Sequence, residues 1–458
     1  MQLFEKRVSV PAAPGNKDLI KHIENALSFR LVDGEVPIRL AVTAIDNGQY
    51  NCEGGCIVSG HDAGPSIFDF RRRETENADR FNVVYLVPTG VGAEVGGHAG
   101  DATPAAQLLA SICDHLVTHP NVVNASDINE LPTNASYVEG SVICRLLMGT
   151  AALKTVRANR VLVVIDAQSD DMIENLALNT IEASRSTFGL NCAGIFRLDP
   201  SLKLAAVYAE SGRAVGTGHG IDRLFTLLEA QRDDYDAVAI TSQITVPGSY
   251  HDDYFSSDGS MVNPWGGVEA MLTHAVSHYF DVPSAHAPMM ESREILFADT
   301  GRVDPRMAAE AISSSFFLCV LKGLNRSPAI MSDLPARPAT DALTAENISC
   351  LVLPDGCIGL PTLAALEQGI PVVAVREGRG LLNNDLSQLP WRPGQLTIVE
   401  NYWEAAGVLA APRAGLAPGA VRRPFVKLEP QTWRSSGSAP TSATLSRLSG
   451  KPQRQHSN

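Results

Sequence analysis

The chain contains no apolar run of the roughly 20 residues that a membrane-spanning helix requires. The stretch from Met1 to Arg7 also lacks the apolar centre of a secretory leader. Cysteine is scarce: the 458 residues include 8, several of them inside apolar segments, which excludes a disulfide-rich scaffold and favours reduced, buried thiols. Together these absences predict a soluble, cytoplasmic protein that does not interact with membranes.

Positive charge is scarce over most of the chain. The sequence has 37 Lys and Arg against 50 Asp and Glu, for a net charge of −13. Residues 411–458 are the exception, because they contain eight basic residues and one acidic residue, Glu429. The net charge of this tail is therefore +7, and the rest of the chain carries −20. The acidic body excludes an extended nucleic-acid-binding surface. The tail is rich in Pro, Ser, Gly and Arg and has little apolar periodicity, which predicts disorder.

Short apolar runs rich in β-branched residues recur along the chain, and helical patterns separate them. Runs that are apolar throughout are typical of strands buried on both faces. The clearest lie at 83–87, 161–165, 237–240, 350–353 and 371–375, with helical patterns at 171–186, 221–231, 267–280 and 305–323. This alternation predicts an α/β fold with a parallel or mixed sheet covered by helices, and two Rossmann-like lobes are compatible with it. We expect an α/β lead-in at 1–78, a core with a ligand crevice at 79–410 and a disordered basic tail at 411–458.

The most distinctive feature is the loop that follows the run at 83–87. It contains five glycines in fourteen residues, which are Gly90, Gly92, Gly96, Gly97 and Gly100. Glycine lets backbone N–H groups approach a ligand closely, and the N-terminus of the helix predicted from Thr103 adds partial positive charge. The spacing matches neither the dinucleotide fingerprint nor a P-loop. The loop therefore predicts a site for a phosphate or carboxylate, with a turn shaped only by packing as the alternative.

A histidine and two asparagines follow the next short strand. His119 ends that strand, and Asn121 and Asn124 lie in the loop beyond it. Parallel strands present such ends to a common crevice, so His119 and the nearby Asp101 supply groups for proton transfer near neutral pH. A histidine held by structural hydrogen bonds fits the pattern equally well.

The segment 248–288 concentrates histidine and other polar residues. Asn263 opens the helix at 267–280 and starts a second turn suited to an anion, and His286 follows a proline-bearing turn. His274 and His278 lie four residues apart and share a helix face, but the glutamate of the zinc protease signature is absent between them. An alternative metal site would use His251, Asp253 and His286. Because no tighter signature supports a metal, we predict no metal site.

Residues 353–375 read as strand, glycine-bearing loop, helix and strand. The unit is similar to the one near the donor site of GT-B glycosyltransferases, which implies that Gly356 and Gly359 meet a phosphate, although any αβ unit gives this pattern. Cys357, at the strand end, is an alternative nucleophile without a recognisable partner motif.

Five segments together resemble a known family: VPTGVGAEVGGHAGDATPAAQLLA, THPNVVNAS, YVEGSVICRLLMG, DVPSAHAP and LPDGCIGLPTLAALEQGIPVVAV. They are similar in order and sequence to the uncharacterised family called domain of unknown function 3326, over residues 80–385. The family pattern has a tyrosine at the position of His98 and lacks Cys357. The resemblance names no reaction, and the residues that match the pattern are Asp101, His119, Asn121, Asn124, Glu139 and His286.

The sequence thus predicts an enzyme that acts on a small anionic metabolite as a lyase, isomerase or transferase. Asp101 and His119 would transfer protons, with His286 and Asn263 on the opposite wall. One alternative is a non-catalytic binding or regulatory protein, and a second is a metal-dependent hydrolase. The sequence identifies no cofactor, indicates no nucleic-acid partner and leaves a homo-oligomer open.

Overall fold

The computed structural model describes residues 1–12, 18–58, 64–168, 170–248, 250–334, 341–425 and 427–433. Its strands are β1 (Gln2–Pro11), β2 (Glu35–Asp46), β3 (Gln49–Val58), β4 (Asn82–Tyr85), β5 (His115–Thr118), β6 (Asn124–Ala125), β7 (Ile128–Asn129), β8 (Ala135–Tyr137), β9 (Ala152–Lys154), β10 (Val161–Asp166), β11 (Cys192–Leu198), β12 (Lys203–Tyr208), β13 (Ala214–His219), β14 (Ala237–Thr245), β15 (Ser284–Met289), β16 (Ala329–Met331), β17 (Ala342–Leu343), β18 (Ile348–Pro354), β19 (Ile358–Gly359), β20 (Val372–Val375) and β21 (Leu396–Val399).

Helices alternate with these strands along much of the chain, which confirms the α/β class. They are α1 (Leu19–Ser28), α2 (Thr103–Ala110), α3 (Pro120–Val123), α4 (Gly140–Met148), α5 (Asp171–Phe188), α6 (Ile221–Ala230), α7 (Tyr250–Ser256), α8 (Gly266–Phe280), α9 (Arg293–Leu296), α10 (Ala308–Ala311), α11 (Phe317–Leu324), α12 (Leu360–Gln368) and α13 (Tyr402–Arg413). Short 3-10 turns lie at Ala345–Asn347, Arg376–Gly378, Leu386–Gln388 and Pro418–Val421. None of the described helices has the length and apolar character needed to cross a membrane.

One sheet consists of six parallel strands. Their order is β21-β20-β18-β4-β5-β8. The runs predicted at 83–87, 350–353 and 371–375 form its central strands, and every residue of β4, β18 and β20 is buried. Because helices and neighbouring strands cover both faces, these strands are apolar throughout rather than alternating.

The larger sheet has ten strands and is mixed. Strands β11, β10, β14 and β15 run parallel, and the sheet continues from β14 through β12, β13, β1, β3 and β2 to β19, with antiparallel pairing from β12 onward. Strand β10 separates two apolar cores: Val163 and Ile165 belong to one, and Leu162 and Val164 to the other. The alternation explains why the run at 161–165 is apolar on both faces.

Strand β19 connects the two sheets. The chain leaves β18, pairs Gly359 with Ala41 of β2, and begins α12 at Leu360. Pro361 sits in the first turn of α12, where its missing N–H and fixed φ suit a helix start. The N-terminus of α12 is therefore held at the seam between the sheets.

The structure corrects one predicted helix and adds strands that the sequence did not indicate. The single helix predicted at 305–323 is wrong, because α10 and α11 are separated by a stretch in which the Ser315 amide donates to Ser313 Oγ. Strand β3 was missed because Gly54 and Gly55 interrupt its pattern, and a Cβ at Gly55 would lie 2.5 Å from Arg39 Cγ. The tail predicted at 411–458 begins in the last turn of α13, and its residues 434–458 lie outside the described residues.

Two helix glycines provide a matched test of the packing between α11 and Tyr137. In the Gly323→Ala protein the new Cβ would lie 2.5 Å from the Tyr137 ring. We expect this overpacking to lower the free energy of unfolding by about 1–3 kcal/mol. The control is Gly407→Ala in α13, where nothing lies within 4 Å, and we expect a gain of about 0.5–1 kcal/mol. Urea unfolding measures both, and equal effects at the two positions would contradict the packing described.

Candidate functional site

A cavity of about 390 Å³ lies where the carboxyl ends of strands from both sheets meet. The segments that follow β4, β5, β8 and β18 line one side, and α8 and β15 line the other. The outer ends of parallel strands are where open α/β sheets form ligand crevices. The topology thus brings residues from distant parts of the sequence into one chamber.

Helix α8 supplies the most concentrated polar wall. Glu269, Thr273, His274 and His278 all line the cavity, at the three- to five-residue spacing that places side chains on one helix face. Most of α8 is buried, so these polar groups lie in an otherwise apolar helix. The prediction that His274 and His278 share a face is confirmed.

Glu139 joins the two sides of the cavity. It follows β8 and caps α4, because its Oε2 accepts the Ser141 amide at 2.8 Å and the Val142 amide at 3.3 Å. Its Oε1 accepts the Thr273 hydroxyl at 3.2 Å and His274 Nδ1–H at 2.5 Å, both from α8. Burial alone would raise the pKa of Glu139, but His274 and these hydrogen bonds outweigh it and hold the pKa below its ordinary value. Glu139 is thus a buried carboxylate whose hydrogen bonds link the two sides of the cavity.

A second carboxylate–imidazole pair lies on β15 and α8. His286 Nδ1 lies 3.0 Å from Glu269 Oε1, and His286 Nε2 lies 2.8 Å from Ser242 Oγ of β14. The His286 side chain is fully buried, whereas the Glu269 side chain is 23% exposed and reaches the cavity. Of the three hydrogen-bonded groups Ser242, His286 and Glu269, the Glu269 carboxylate is therefore the terminal group that is accessible to a ligand.

Two arginines line the cavity beside β2 and β13. Arg39 Nη1 donates to the Gly267 carbonyl at 2.9 Å, and Arg213 Nη1 lies 2.5 Å from Glu53 Oε2 in a fully buried pair. Arg213 Nε has no partner among the described residues. Burial lowers the pKa of Arg39 to about 10, which leaves its guanidinium charged at neutral pH. Both charges are paired, Arg213 with Glu53 and Arg39 with Glu5 at 3.4 Å, so the wall offers guanidinium N–H donors rather than unpaired positive charge.

The N-terminus of α12 opens into the same cavity. Gly359, Leu360, Pro361 and Thr362 line it, and none of the described side chains caps this helix end. Uncapped N–H groups and the helix dipole favour a negatively charged ligand. Of the two glycines predicted here, Gly359 lines the cavity, whereas Gly356 does not, and a Cβ at Gly356 would lie 2.2 Å from the Leu382 carbonyl oxygen.

All five glycines of the glycine-rich loop are tightly packed, since a Cβ would lie 2.7 Å from the Ala214 oxygen at Gly90 and 2.1 Å from the Ala93 oxygen at Gly97, but only some of them line the cavity. Gly90 and Gly97 line the cavity. The other three predicted glycines, which are Gly92, Gly96 and Gly100, do not, and each has a positive φ and no room for a Cβ. Packing alone is thus sufficient to require glycine at these three positions.

The amides of this loop already have acceptors within the protein. Asp101 Oδ1 accepts the Gly96 amide at 3.0 Å and the His98 amide at 3.3 Å, and Glu310 Oε1 accepts the Ala99 amide at 2.7 Å. An external anion at these amides would have to displace a carboxylate. Burial raises the pKa of Asp101 to about 6, and Asp101 does not line the cavity. The structure thus places Asp101 behind the wall as a loop-holding residue.

His119 and the two asparagines after it line the cavity but also hold backbone. His119 Nε2 accepts the Val87 amide at 3.1 Å, and burial lowers its pKa to about 4, so the ring is neutral near pH 7. Asn121 Nδ2 donates to the carbonyls of Val87 and Gly96, both at 3.0 Å. Asn124 Nδ2 donates to the Tyr137 hydroxyl at 2.9 Å. The side-chain groups of His119, Asn121 and Asn124 that were predicted to contact a ligand thus form hydrogen bonds within the protein.

Glu310 and Asn263 form a further wall. Asn263 Oδ1 accepts the Trp265 amide at the start of α8, and its Nδ2 donates to Glu310 Oε1 at 3.2 Å. Burial raises the pKa of Glu310 to about 7, although bonds from Ala99, Tyr254 and Asn263 oppose the shift. A carboxyl group with a pKa near neutrality suits acid–base chemistry.

Thiolate and metal chemistry find little support at this site. Cys357 lines the cavity but is buried, which raises its pKa to about 12 and keeps it a neutral thiol. Within the ranges that the structure describes, no three His, Cys, Asp or Glu residues come close enough to hold a metal ion. The set His251, Asp253 and His286 therefore does not form such a group.

Comparison with known proteins identifies the family. A family model described as Protein of unknown function (DUF3326) matches residues 82–422. The chain belongs to this family. The resemblance seen in the five sequence segments is thereby confirmed. A relative from Synechococcus sp., named an uncharacterized lipoprotein, is 34% identical over 349 residues, which cover 74% of this chain and 92% of the relative.

The DUF3326 region contains most of the site. It includes Glu139, all of α8, His286 and the N-terminus of α12. Arg39 and Glu53 precede the matched range, because β2 and β3 belong to the segment before residue 82. The two carboxylate–imidazole pairs therefore lie within the family region, and part of the basic wall lies outside it.

Four residues of the site escaped the sequence analysis: Glu269, Glu310, Arg39 and Arg213. Glu269 had a usable signal, because it lies four residues before Thr273 and five before His274 in a helix that is otherwise mostly apolar. Arg39 and Arg213 had none, since their approach to the cavity depends on the order of strands in the mixed sheet. Glu310 lay in a segment predicted to be part of one long helix.

The raised pKa of Glu310 predicts a pH-dependent cost to folding. The folded protein keeps this proton up to about pH 7, whereas the unfolded chain releases it near 4.5, so the group's contribution to stability is lost as pH rises between these values. Glu310→Gln cannot ionise. We expect its free energy of unfolding, relative to the wild type, to increase by on the order of 1–3 kcal/mol between pH 5 and pH 8.

Urea unfolding at the two pH values measures this difference. The control is Glu130→Gln, at an exposed glutamate outside the cavity, for which we expect no pH-dependent difference. A Glu310→Gln protein whose stability tracks the wild type at both pH values would show that Glu310 ionises normally.

Proposed function

We propose that the protein is an enzyme that transfers protons on a small metabolite carrying a carboxylate or phosphate. The observation that supports this most is the presence of two carboxylate–imidazole pairs, Glu139–His274 and Glu269–His286, on one cavity. Titratable groups held by specific partners in a crevice are typical of acid–base sites. The reaction class that fits best is a lyase or isomerase, and a transferase is the next candidate.

Within the proposal the two pairs have different tasks. Glu139 is almost fully enclosed by its hydrogen bonds, so His274 is the member of that pair that faces the ligand. In the other pair His286 is enclosed and Glu269 faces the cavity. One imidazole and one carboxylate are thus presented together, and Glu310 adds a third group suited to proton exchange.

The anionic character of the ligand rests on the opposite wall. The uncapped N-terminus of α12 and the guanidinium of Arg213 line the cavity together. A phosphate or carboxylate would receive N–H bonds from both, because Arg213 Nε has no partner among the described residues. We also propose that the two parallel strand groups act as Rossmann-like lobes, each presenting its carboxyl edge to the ligand.

Two other functions fit less well. A non-catalytic binding protein would have the same cavity. The hydrogen bonds that His119 and Asp101 accept from backbone amides favour this alternative, because they give both side chains a structural role. A metal-dependent hydrolase lacks a ligand group in the described part of the chain. We keep the cytoplasm as the proposed location, although the Synechococcus relative is named a lipoprotein.

Hydrogen exchange in D₂O tests the proposed chemistry. The full chain is incubated with panels of 2-oxo acids, 2-hydroxy acids and sugar phosphates, and ¹H NMR follows the loss of C–H signals while thermal shift reports binding. We expect at least one compound to raise the Tm and to exchange a C–H proton. Glu269→Gln should lower the exchange rate by about 100-fold or more and leave binding largely intact, because a general acid or base contributes about that much.

The matched control concerns the imidazoles. His274→Asn should slow exchange, whereas His219→Asn, at an exposed position on β13 outside the cavity, should leave it unchanged. Binding without exchange by any compound would favour the non-catalytic protein. A rate that is unaffected by Glu269→Gln would remove Glu269 from the reaction.

A further inference from the structure

Ser242, His286 and Glu269 are hydrogen-bonded in the order of the serine, histidine and acid of a hydrolase triad. The group at the end that faces the cavity is the acid rather than the serine. A serine hydrolase exposes its serine to substrate and buries the acid. Here Ser242 is fully buried and does not line the cavity, whereas Glu269 does. The buried Ser242 hydroxyl, which lies on the strand paired with β15, is therefore not accessible to a ligand in this cavity.

We propose that Glu269 is the proton-accepting catalytic residue of this cavity, and that His286 and Ser242 are positioning residues that hold its carboxylate. This inference rests on the proposed function, because a base is needed only if the cavity performs chemistry. It deepens that function by assigning the direction of the first proton transfer, from the ligand to Glu269.

The proposal implies one arrangement of protons. The Ser242 hydroxyl has His286 Nε2 as its partner at 2.8 Å, and a hydroxyl that donates there leaves the ring proton on Nδ1. His286 Nδ1–H then donates to Glu269 Oε1 at 3.0 Å. A carboxyl oxygen that accepts this bond is fixed in orientation by its N–H donor.

The step is balanced without any further reactant. A ligand C–H or O–H bond breaks, its electron pair stays on the ligand, and the proton forms an O–H bond with Glu269. The His286 proton remains on Nδ1 throughout, so Ser242 never loses its own. The uncapped α12 N-terminus and Arg213, which line the same cavity, lie on the wall suited to the negative charge that builds up on the ligand.

The opposite assignment makes a distinct prediction. If Glu269 Oε1 instead carried a proton, it would donate this proton to a bare Nδ1, and the ring proton would sit on Nε2 with Ser242 as the acceptor. The tautomer of His286 therefore shows whether Glu269 Oε1 accepts from the ring or donates to it, and it does so without any knowledge of the ligand.

The test is ¹⁵N NMR of the full chain with ¹⁵N-labelled histidine at neutral pH. The His286 signals are assigned by their loss in His286→Gln. We expect a protonated Nδ1 and an unprotonated Nε2 in the wild type. In Ser242→Ala the Nε2 resonance should move as its hydrogen bond is lost, and in Glu269→Ala the Nδ1 resonance should move instead. A wild-type ring with a proton on Nε2 would overturn the proposal, and this result is read from the wild-type protein, with His286→Gln used for the assignment.

A second readout addresses the buried serine. A fluorophosphonate probe, followed by peptide mass spectrometry, should leave Ser242 unlabelled in the folded chain. Labelling of Ser242 would make it a nucleophile and overturn its positioning role.

A third readout uses the D₂O exchange reaction. Ser242→Ala and His286→Gln should lower kcat by about tenfold or more with little change in KM, and His286→Asn, whose amide N–H can take the place of Nδ1–H, should recover part of that loss. Equal losses for Asn and Gln would indicate a merely structural role. Failure to find any exchange, combined with the expected tautomer, would refute the proposed function and leave the Ser242–His286–Glu269 geometry intact.

Discussion

The site depends on one buried carboxylate that bonds to both halves of the molecule. Glu139 emerges from the six-stranded sheet, caps α4 and accepts two bonds from α8, which belongs to the mixed sheet. A buried carboxylate is costly unless its oxygens are satisfied, and here both are. Arg145 of α4 reinforces the join by pairing with Asp281 at the end of α8, at 2.6 Å. Because these contacts fix α8, they also fix Glu269 and His274 relative to the N-terminus of α12.

This constraint explains why many polar groups near the cavity are structural while a few are available. His119, Asn121, Asn263 and Asp101 hold loops that must turn sharply at the strand ends, so their donors and acceptors are largely used within the protein. The groups left facing the ligand come from longer elements, namely His274 and Glu269 on α8 and the N-terminus of α12. Rigid elements orient reacting groups more exactly than loops do.

The sequence predicted those features that depend on burial and spacing within a single strand or helix. The run at 350–353 is apolar throughout because β18 is covered on both faces, and the pattern at 171–186 matches α5 because its N-cap, Asp170, and its helix spacing are local signals. The site itself required tertiary pairing. Glu139 and His274 are 135 residues apart in the chain, and neither the mixed sheet order nor the glycine-rich β3 has a local signature. The glycine loop borders the cavity through Gly90 and Gly97, but tight packing is sufficient to require glycine at Gly92, Gly96 and Gly100.

A double-mutant cycle on Glu139 and His274 is the most direct measurement of this account. Free energies of unfolding are determined for the wild type, Glu139→Ala, His274→Ala and the double variant, because alanine removes the acceptor and the donor. If their 2.5 Å bond joins the two halves, the coupling energy should be about 1.5–3 kcal/mol, as for a buried hydrogen bond to a charged group. Single effects that add to within about 0.5 kcal/mol would contradict it, because independent sites behave in that way.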